Sequence, residues 1–363
     1  MTINNKIYQN DVKTCAGIKL PWEKLNGKHI LISGASGMVG SFAVDVLMAR
    51  NALYNAGISV TAIGRNATAA AKKFAAYRHN EKFNFVRHDI TLPFSDIKGK
   101  KHTNFIIHGA SNTHPVAYAS DPIGTISTNV LGTYNLLDYA VKSGGSIRFA
   151  FLSTVEIYGE NDSEKERFAE TDLGFIDCNT VRAGYSESKR LGEALCNAYT
   201  AKHNQTTNGL DIVIPRLCRI YGPTMLDSDS KASSQFIKRA VRGQDVVLKS
   251  KGDQFYSYIY VADAVSAIFT ILLCGESGGA YNVADKNSDV TLKEFAKIAA
   301  ISGDVKIIHE PPGETEAAGF SKATKALLDP AKLKNLGWQP ENDINSGIKK
   351  TIQILKNVSE NFI

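Results

Sequence analysis

The chain has 363 residues, 43% of them hydrophobic and 21% charged, with a formal net charge of +6 at pH 7. Such a length suggests about two domains, or one large domain with an added lobe, and the balance is that of a soluble protein with a sizeable core. Lys and Arg are scattered among acids rather than gathered in a stripe with aromatics, which argues against nucleic acid, and no apolar run approaches a membrane span.

Cys15, Cys178, Cys196, Cys218 and Cys274 are far apart, odd in number and without CxxC spacing. They predict buried thiols in a reducing, cytoplasmic setting, and the eight histidines show no metal-ligand spacing. Met1 to Asn10 is polar and lacks the apolar stretch of a secretory signal.

In chain order, residues 1–28 read as a polar leader, with Pro21-Trp22 packing on the domain edge. His29 to Ser33 is a short apolar run, long enough for one buried strand, and it ends in Gly34-Ala35-Ser36-Gly37-Met38-Val39-Gly40. A helical pattern follows at once at Phe42, Val46 and Leu47. Strand, glycine turn and helix place a helix N-terminus against a pyrophosphate: Gly34 permits the tight turn, Gly37 the phosphate approach, and Gly40 close helix–strand packing.

Ile58–Ile63 is a second strand and ends in Gly64-Arg65-Asn66; a helix over about 67–77 leads to a third strand at Phe83–Val86, closed by Asp89-Ile90. Asn104–His108 is a fourth strand running into Gly109-Ala110-Ser111, a long helix covers about 124–142, and Ile147–Ser153 is a fifth strand. Tyr185–Tyr199 reads as a helix and Asp211–Arg216 as a sixth strand. This alternation predicts a parallel, doubly wound α/β sheet.

From about Leu217 the rhythm loosens into a smaller α/β lobe. It includes Phe236–Arg242, the aromatic stretch Phe255–Tyr260, a helix over Val261–Leu273 and a strand at Ala280–Val283. Thr291 and Glu294 form a capping box. The expected organisation is a leader (1–28), a dinucleotide domain (29–216) and a mainly substrate-binding lobe (217–363), with 255–285 returning to the first domain.

Two segments suggest chemistry. Tyr185 and Lys189, four apart, share a helix face. A tyrosine is a poor base unless a nearby cation stabilises its phenolate; with one, it can take a hydroxyl proton while hydride leaves the same carbon. Thr154, after the fifth strand, faces the ligand crevice of such a sheet and can hydrogen-bond the reacting oxygen.

Taken together, Gly34, Gly37, Gly40, Asp89, Ala110-Ser111, Thr154 and Tyr185…Lys189 resemble the extended short-chain dehydrogenase/reductases. Within these the chain is similar to the NAD-dependent nucleotide-sugar epimerase/dehydratase group. The resemblance runs to Leu336-Gly337-Trp338-Gln339-Pro340 and takes in Asp121-Pro122, Pro215-Arg216, Tyr221-Gly222-Pro223 and Tyr260-Val261-Ala262-Asp263 in family order.

The resemblance implies a Rossmann-like fold with a C-terminal substrate lobe. It also implies dinucleotide contacts from Gly34, Ser36, Gly37, Met38, Val39, Gly40, Arg65, Asp89, Ile90, Ala110, Ser111, Tyr185, Lys189 and Pro215. Tyr185 is then the base, Lys189 the ribose contact that lowers its pKa, and Thr154 the partner of the C4 oxygen. Candidate sugar and nucleotide contacts are His114, Tyr118, Arg216, Arg219 and Tyr256. The helices near 124–142 and 185–199 pair between subunits in this family, so a homodimer is expected.

The chain departs from the family pattern at three places. Gly64-Arg65-Asn66 lacks the acid that usually holds the adenosine ribose of NAD, and Arg65 suits a 2′-phosphate, so residue chemistry leans to NADP while the resemblance leans to NAD. Thr154-Val155-Glu156 stands where 4,6-dehydratases have Thr-Asp-Glu, and valine cannot protonate a leaving hydroxyl. UDP-glucuronate decarboxylases keep the Glu and need no such acid, so a decarboxylase is the leading expectation. A 4-epimerase, a 4,6-dehydratase or an NADP-dependent 4-keto-sugar reductase are the alternatives. Finally, Tyr256 replaces the family's usual arginine and Arg219 its usual asparagine; Arg219 is expected to compensate.

Overall fold

The computed structural model describes residues 2–94, 102–113, 115–144, 146–161, 165–203, 209–311 and 323–360. Its main sheet contains seven parallel strands in the spatial order Phe83–Arg87, Ser59–Gly64, His29–Ser33, Phe105–His108, Ile147–Phe151, Leu210–Leu217 and Ala280–Val283. The two-residue strand Ser153–Thr154 pairs with Arg216 and Leu217.

All five residues of His29–Ser33 are buried. Because successive strand residues point to opposite faces, Ile30 and Ile32 join one hydrophobic cluster and Leu31 the other. Helices Met38–Tyr54 and Val261–Cys274 bury their apolar residues in the first cluster, and Pro122–Lys142 and Ala183–His203 contribute to the second. A sheet covered on both faces explains why its strands read as continuous apolar runs.

Asp121 caps Pro122–Lys142: its side chain accepts from Gly124 N, and Pro122 sits in the first turn, so the helix begins two residues earlier than its apolar pattern suggests. The expected helix over 67–77 divides into Ala67–Lys73 and a single turn at Ala75–Tyr77.

The leader is not a loose polar segment. Asn5 caps a helix over Lys6–Gly17, which buries Tyr8, Val12, Cys15 and Ala16 against Met38–Tyr54 and Val261–Cys274. Polar residues dominate its outer face and hid this stripe. Buried Asp11 ties the helix to the rest of the chain, accepting from Tyr260 Oη at 2.8 Å and Lys350 Nζ at 2.7 Å.

The lobe is built on Phe255–Tyr260, which pairs with Arg219–Tyr221, Asp289–Thr291 and Lys325–Ala326. Of the stretch 255–285, then, the strand Phe255–Tyr260 belongs to the small sheet. Val261–Cys274 and Ala280–Val283 pack with the large one. Thr291 and Glu294 form the capping box of helix Leu292–Gly303. Among the described residues no helix is long and apolar enough to cross a membrane.

Candidate active site

In a doubly wound sheet the ligand crevice lies at the carboxyl ends of the strands where the order reverses. Here that point falls between His29–Ser33 and Phe105–His108, and a cavity of about 660 Å³ runs from it into the lobe. The glycine turn forms its floor, with Gly34, Ser36, Gly37, Met38, Val39 and Gly40 all in the lining. Gly34 has φ +67°, and a Cβ there would stand 2.6 Å from the backbone of Gly109 and Ala110. At Gly40 a Cβ would meet the Gly34 carbonyl oxygen at 2.5 Å. Each glycine is needed where turn, strand and helix touch.

Two features suit this turn to a dinucleotide pyrophosphate. The N-cap of Met38–Tyr54 is Gly37, which has no side chain to cap the helix's first N–H groups. The Ser36 hydroxyl beside them is buried with no hydrogen-bond partner among the described residues. Arg65, Asp89 and Ile90 line the same cavity past the second and third strands, and Ala110 and Ser111 past the fourth. Asp89 Oδ1 accepts from Thr91 N at 3.0 Å and Thr91 Oγ1 at 2.9 Å. Burial raises this carboxyl, but those bonds and nearby Arg65 and His88 outweigh it and hold it below the usual range.

A support under Gly109-Ala110 was not foreseen from sequence. Buried His108 bridges Ser33 Oγ, 2.7 Å from Nδ1, and Thr133 Oγ1, 3.0 Å from Nε2. Thr133 already donates to Asn129 O, so it accepts from Nε2–H and leaves Nδ1 to accept from Ser33. Burial first, then Lys189, drives the imidazole down to about 3, which keeps it neutral.

Thr154, Glu156, Tyr185 and Lys189 meet on the cavity wall. The Thr154 side chain hydrogen-bonds Tyr185, which partly offsets a burial that pushes the phenol up to about 12. Lys189, one helical turn on, is buried and donates to Leu152 O at 2.8 Å; burial lowers its ammonium to about 8.

Glu156 holds two cations. Its Oε2 accepts from Arg182 at 2.9 Å, and its Oε1 lies 3.6 Å from an Arg219 nitrogen. Burial alone would raise this carboxyl, but Arg182 and then Arg219 reverse the effect and keep it ionised. Arg219 stacks on the Tyr256 ring, both lining the cavity, and its Nη1 is buried with no hydrogen-bond partner among the described residues. Sequence reading missed Arg182. It stands just before helix Ala183–His203, and its meeting with Glu156, 26 residues away, comes from tertiary packing.

Two expected contacts lie elsewhere. Pro215 sits within the sheet opposite Tyr281 and is not in the cavity lining. Arg216 is a buried structural cation: it pairs with Glu193 at 2.7 Å and donates to Tyr158 Oη at 3.0 Å and Glu170 O at 2.6 Å. Strand alternation turns its side chain away from the crevice. Tyr118 falls in the short helix Pro115–Ser120, and His114 lies outside the described residues. Among the described residues no group of His, Cys, Asp and Glu could hold a metal ion.

The model of the NAD-dependent epimerase/dehydratase family matches residues 30–284. The chain belongs to this family. UDP-glucuronic acid decarboxylase 2 of Arabidopsis thaliana is 30% identical over 345 residues, which cover 94% of this chain and 71% of the relative.

Among solved structures, UDP-glucose 4-epimerase of Thermotoga maritima with UDP-glucose aligns with a TM-score of 0.75 at 22% identity, covering 91% of this chain and 99% of its own. UDP-glucuronic acid 4-epimerase of Bacillus cereus, solved with UDP-glucuronic acid and NAD, aligns with a TM-score of 0.72 at 19% identity, covering 91% and 99%. These structural likenesses establish the epimerase/dehydratase fold. The family is NAD-dependent, and the turn described above fits that cofactor.

Proposed function

We propose that this protein decarboxylates UDP-glucuronate through transient oxidation at sugar C4. The observation that carries this reading is the cluster of Glu156, Arg182 and Arg219 beside the Thr154–Tyr185 pair. A buried Arg219 N–H with no partner among the described residues offers a site for the substrate's own carboxylate. The curated decarboxylases at about 30% identity support the same choice.

The turn Gly34–Gly40 would hold the pyrophosphate of NAD, Asp89 and Ile90 its adenine side, and Ala110, Ser111 and Lys189 its nicotinamide ribose side. When bound, NAD would supply the reversible hydride acceptor for C4. Tyr185 takes the C4 hydroxyl proton, and Thr154 orients that oxygen. Arg182 is the cation that lowers the Tyr185 phenol in this structure, and Lys189, one turn on, would add its charge to that of a bound nicotinamide.

The 4-keto uronate is a β-keto acid. Its C5–C6 bond breaks, carbon dioxide leaves, and the electron pair passes to the C4 oxygen as an enolate. Thr154 and the Tyr185 phenol, now carrying the proton, stabilise that oxygen until C5 takes a proton from solvent in place of the lost carboxylate, which leaves the 4-keto pentose. Glu156 keeps Arg182 and Arg219 together at the ring. Buried Val155 has no proton to give a leaving hydroxyl, which sets dehydration aside.

A second reading, 4-epimerisation, draws on one observation: both Glu156 oxygens already face arginines. Epimerisation needs only Thr154, Tyr185 and Lys189. Incubation with UDP-glucuronate, read by product mass, separates the two.

The working unit is a homodimer. Ile123, Ile126, Leu131, Tyr134 and Leu191 on the packed helices Pro122–Lys142 and Ala183–His203 are exposed, an apolar face that a second copy would cover. Five free cysteines, Cys178 among them exposed, support a reducing, cytoplasmic location.

A further inference from the structure

We propose that Glu193 and Arg216 are positioning residues of the active site: their buried pair holds Thr154 and the turn Val155–Tyr158 against the helix that carries Tyr185 and Lys189. The inference rests on the reading of Thr154 and Tyr185 as the pair that handles the sugar hydroxyl, not on which reaction follows.

Helix Ala183–His203 presents Tyr185, Lys189 and Glu193 at intervals of four, on one face. The first two line the cavity; Glu193 is buried behind it. Its carboxylate takes the Arg216 guanidinium as a fork, Nε donating to Oε1 at 3.1 Å and Nη2 to Oε2 at 2.7 Å. Arg216 stands opposite Ser153 in the paired strands, and the Ser153 hydroxyl donates to the same Oε1. Ser153 is the residue before Thr154, which caps the turn Val155–Tyr158. At the far end of that turn, Tyr158 Oη donates to Asn282 Oδ1 at 2.6 Å and accepts from Arg216 Nη1 at 3.0 Å. One ion pair thus grips the chain on both sides of Thr154 and Glu156.

Burying an ion pair is costly, and apolar residues of like volume often serve stability as well. What this pair offers is fixed geometry. A forked pair allows little rotation, and its bonds cross between the helix, the strands Ser153–Thr154 and Leu210–Leu217, and the turn. The hydrogen bond between Thr154 and Tyr185, which aims both groups at one substrate oxygen, spans the joint that the pair closes. A second service falls to Lys189. Burial lowers its ammonium, and Cys196 and then Glu193 act against that loss.

Removing either charge would strand the other in the core, so the test cuts a tether and keeps the pair. The full-length protein and Ser153→Ala are compared in three measurements. These are steady-state turnover of UDP-glucuronate read as total product whatever its mass, retention of NAD⁺ after desalting, and amide hydrogen exchange across residues 154–158. The expected result is a kcat lower by about ten- to a hundredfold, the scale set by a misplacement of about 1 Å. KM and NAD⁺ retention should be unchanged, and exchange in the turn should be faster. A wild-type kcat in Ser153→Ala overturns the inference. So does a fall in kcat matched by an equal loss of NAD⁺ retention, which marks a general packing role. If the wild-type protein makes no product from UDP-glucuronate, the choice of substrate fails and the exchange decides: an unmoved turn overturns the inference, a faster one upholds it.

Discussion

The guanidinium of Arg219 lies 3.4 Å from the centre of the Tyr256 ring. The two residues sit on adjacent strands, with Arg219 paired to Tyr258 and Tyr256 two residues away on the same face. Tyr256 is itself fixed, donating from its hydroxyl to Ala323 O at 2.7 Å. The ring therefore acts as a shelf that holds the arginine against Glu156. Arg219→Ala is predicted to raise the KM for the nucleotide sugar by about tenfold or more while leaving dinucleotide binding unchanged. Steady-state kinetics together with a dinucleotide titration check this. Unchanged affinity and turnover would remove Arg219 from the site.

Tyr185→Phe removes the proposed proton acceptor and keeps the ring. Turnover should fall by about 10²- to 10⁴-fold, the range for a lost general base. Dinucleotide retention should survive, because the glycine turn is untouched. Full activity in this variant would mean that another group takes the C4 proton.

The buried Lys189 makes a stability prediction with a definite sign. Its ammonium is lowered from the ordinary 10.5 to about 8. Between those values the unfolded chain binds more protons than the folded one, so stability must rise with pH across that window. Lys189→Met should abolish this lysine's share of the rise, on the order of 2–3 kcal/mol. Urea unfolding of both proteins at pH 7.5 and pH 10 measures the difference. An equal rise in both proteins would show that the charge is not buried as described.

Leu131→Glu places a charge on the exposed face of Pro122–Lys142, where Leu131 is 47% exposed. It should halve the mass seen by sedimentation equilibrium and leave the fold intact by circular dichroism. A wild-type monomer would refute the dimer.

The legible parts of this molecule were those whose residues lie close in sequence. The turn Gly34–Gly40 announces itself because one backbone geometry demands its glycines, and Tyr185 with Lys189 because a helix puts them on one face. Arg182 and Glu156 are 26 residues apart and Arg219 comes from the lobe, so their meeting depends on tertiary packing. Arg216 misled for a related reason: adjacency to Pro215 says nothing about which way a strand residue points, and Glu193 claims it from another helix. The N-terminal helix hid its narrow apolar stripe among Lys, Asn and Gln.

Mass spectrometry of the products formed from UDP-glucuronate, with the wild-type protein and Glu156→Gln side by side, tests the central claim most directly. The account predicts loss of carbon dioxide with the wild-type protein, giving a UDP-pentose, and a strongly slowed loss in the variant. A product of unchanged mass separable as an isomer, formed equally by both, would contradict it and make the protein a 4-epimerase in which Glu156 only pairs with arginines.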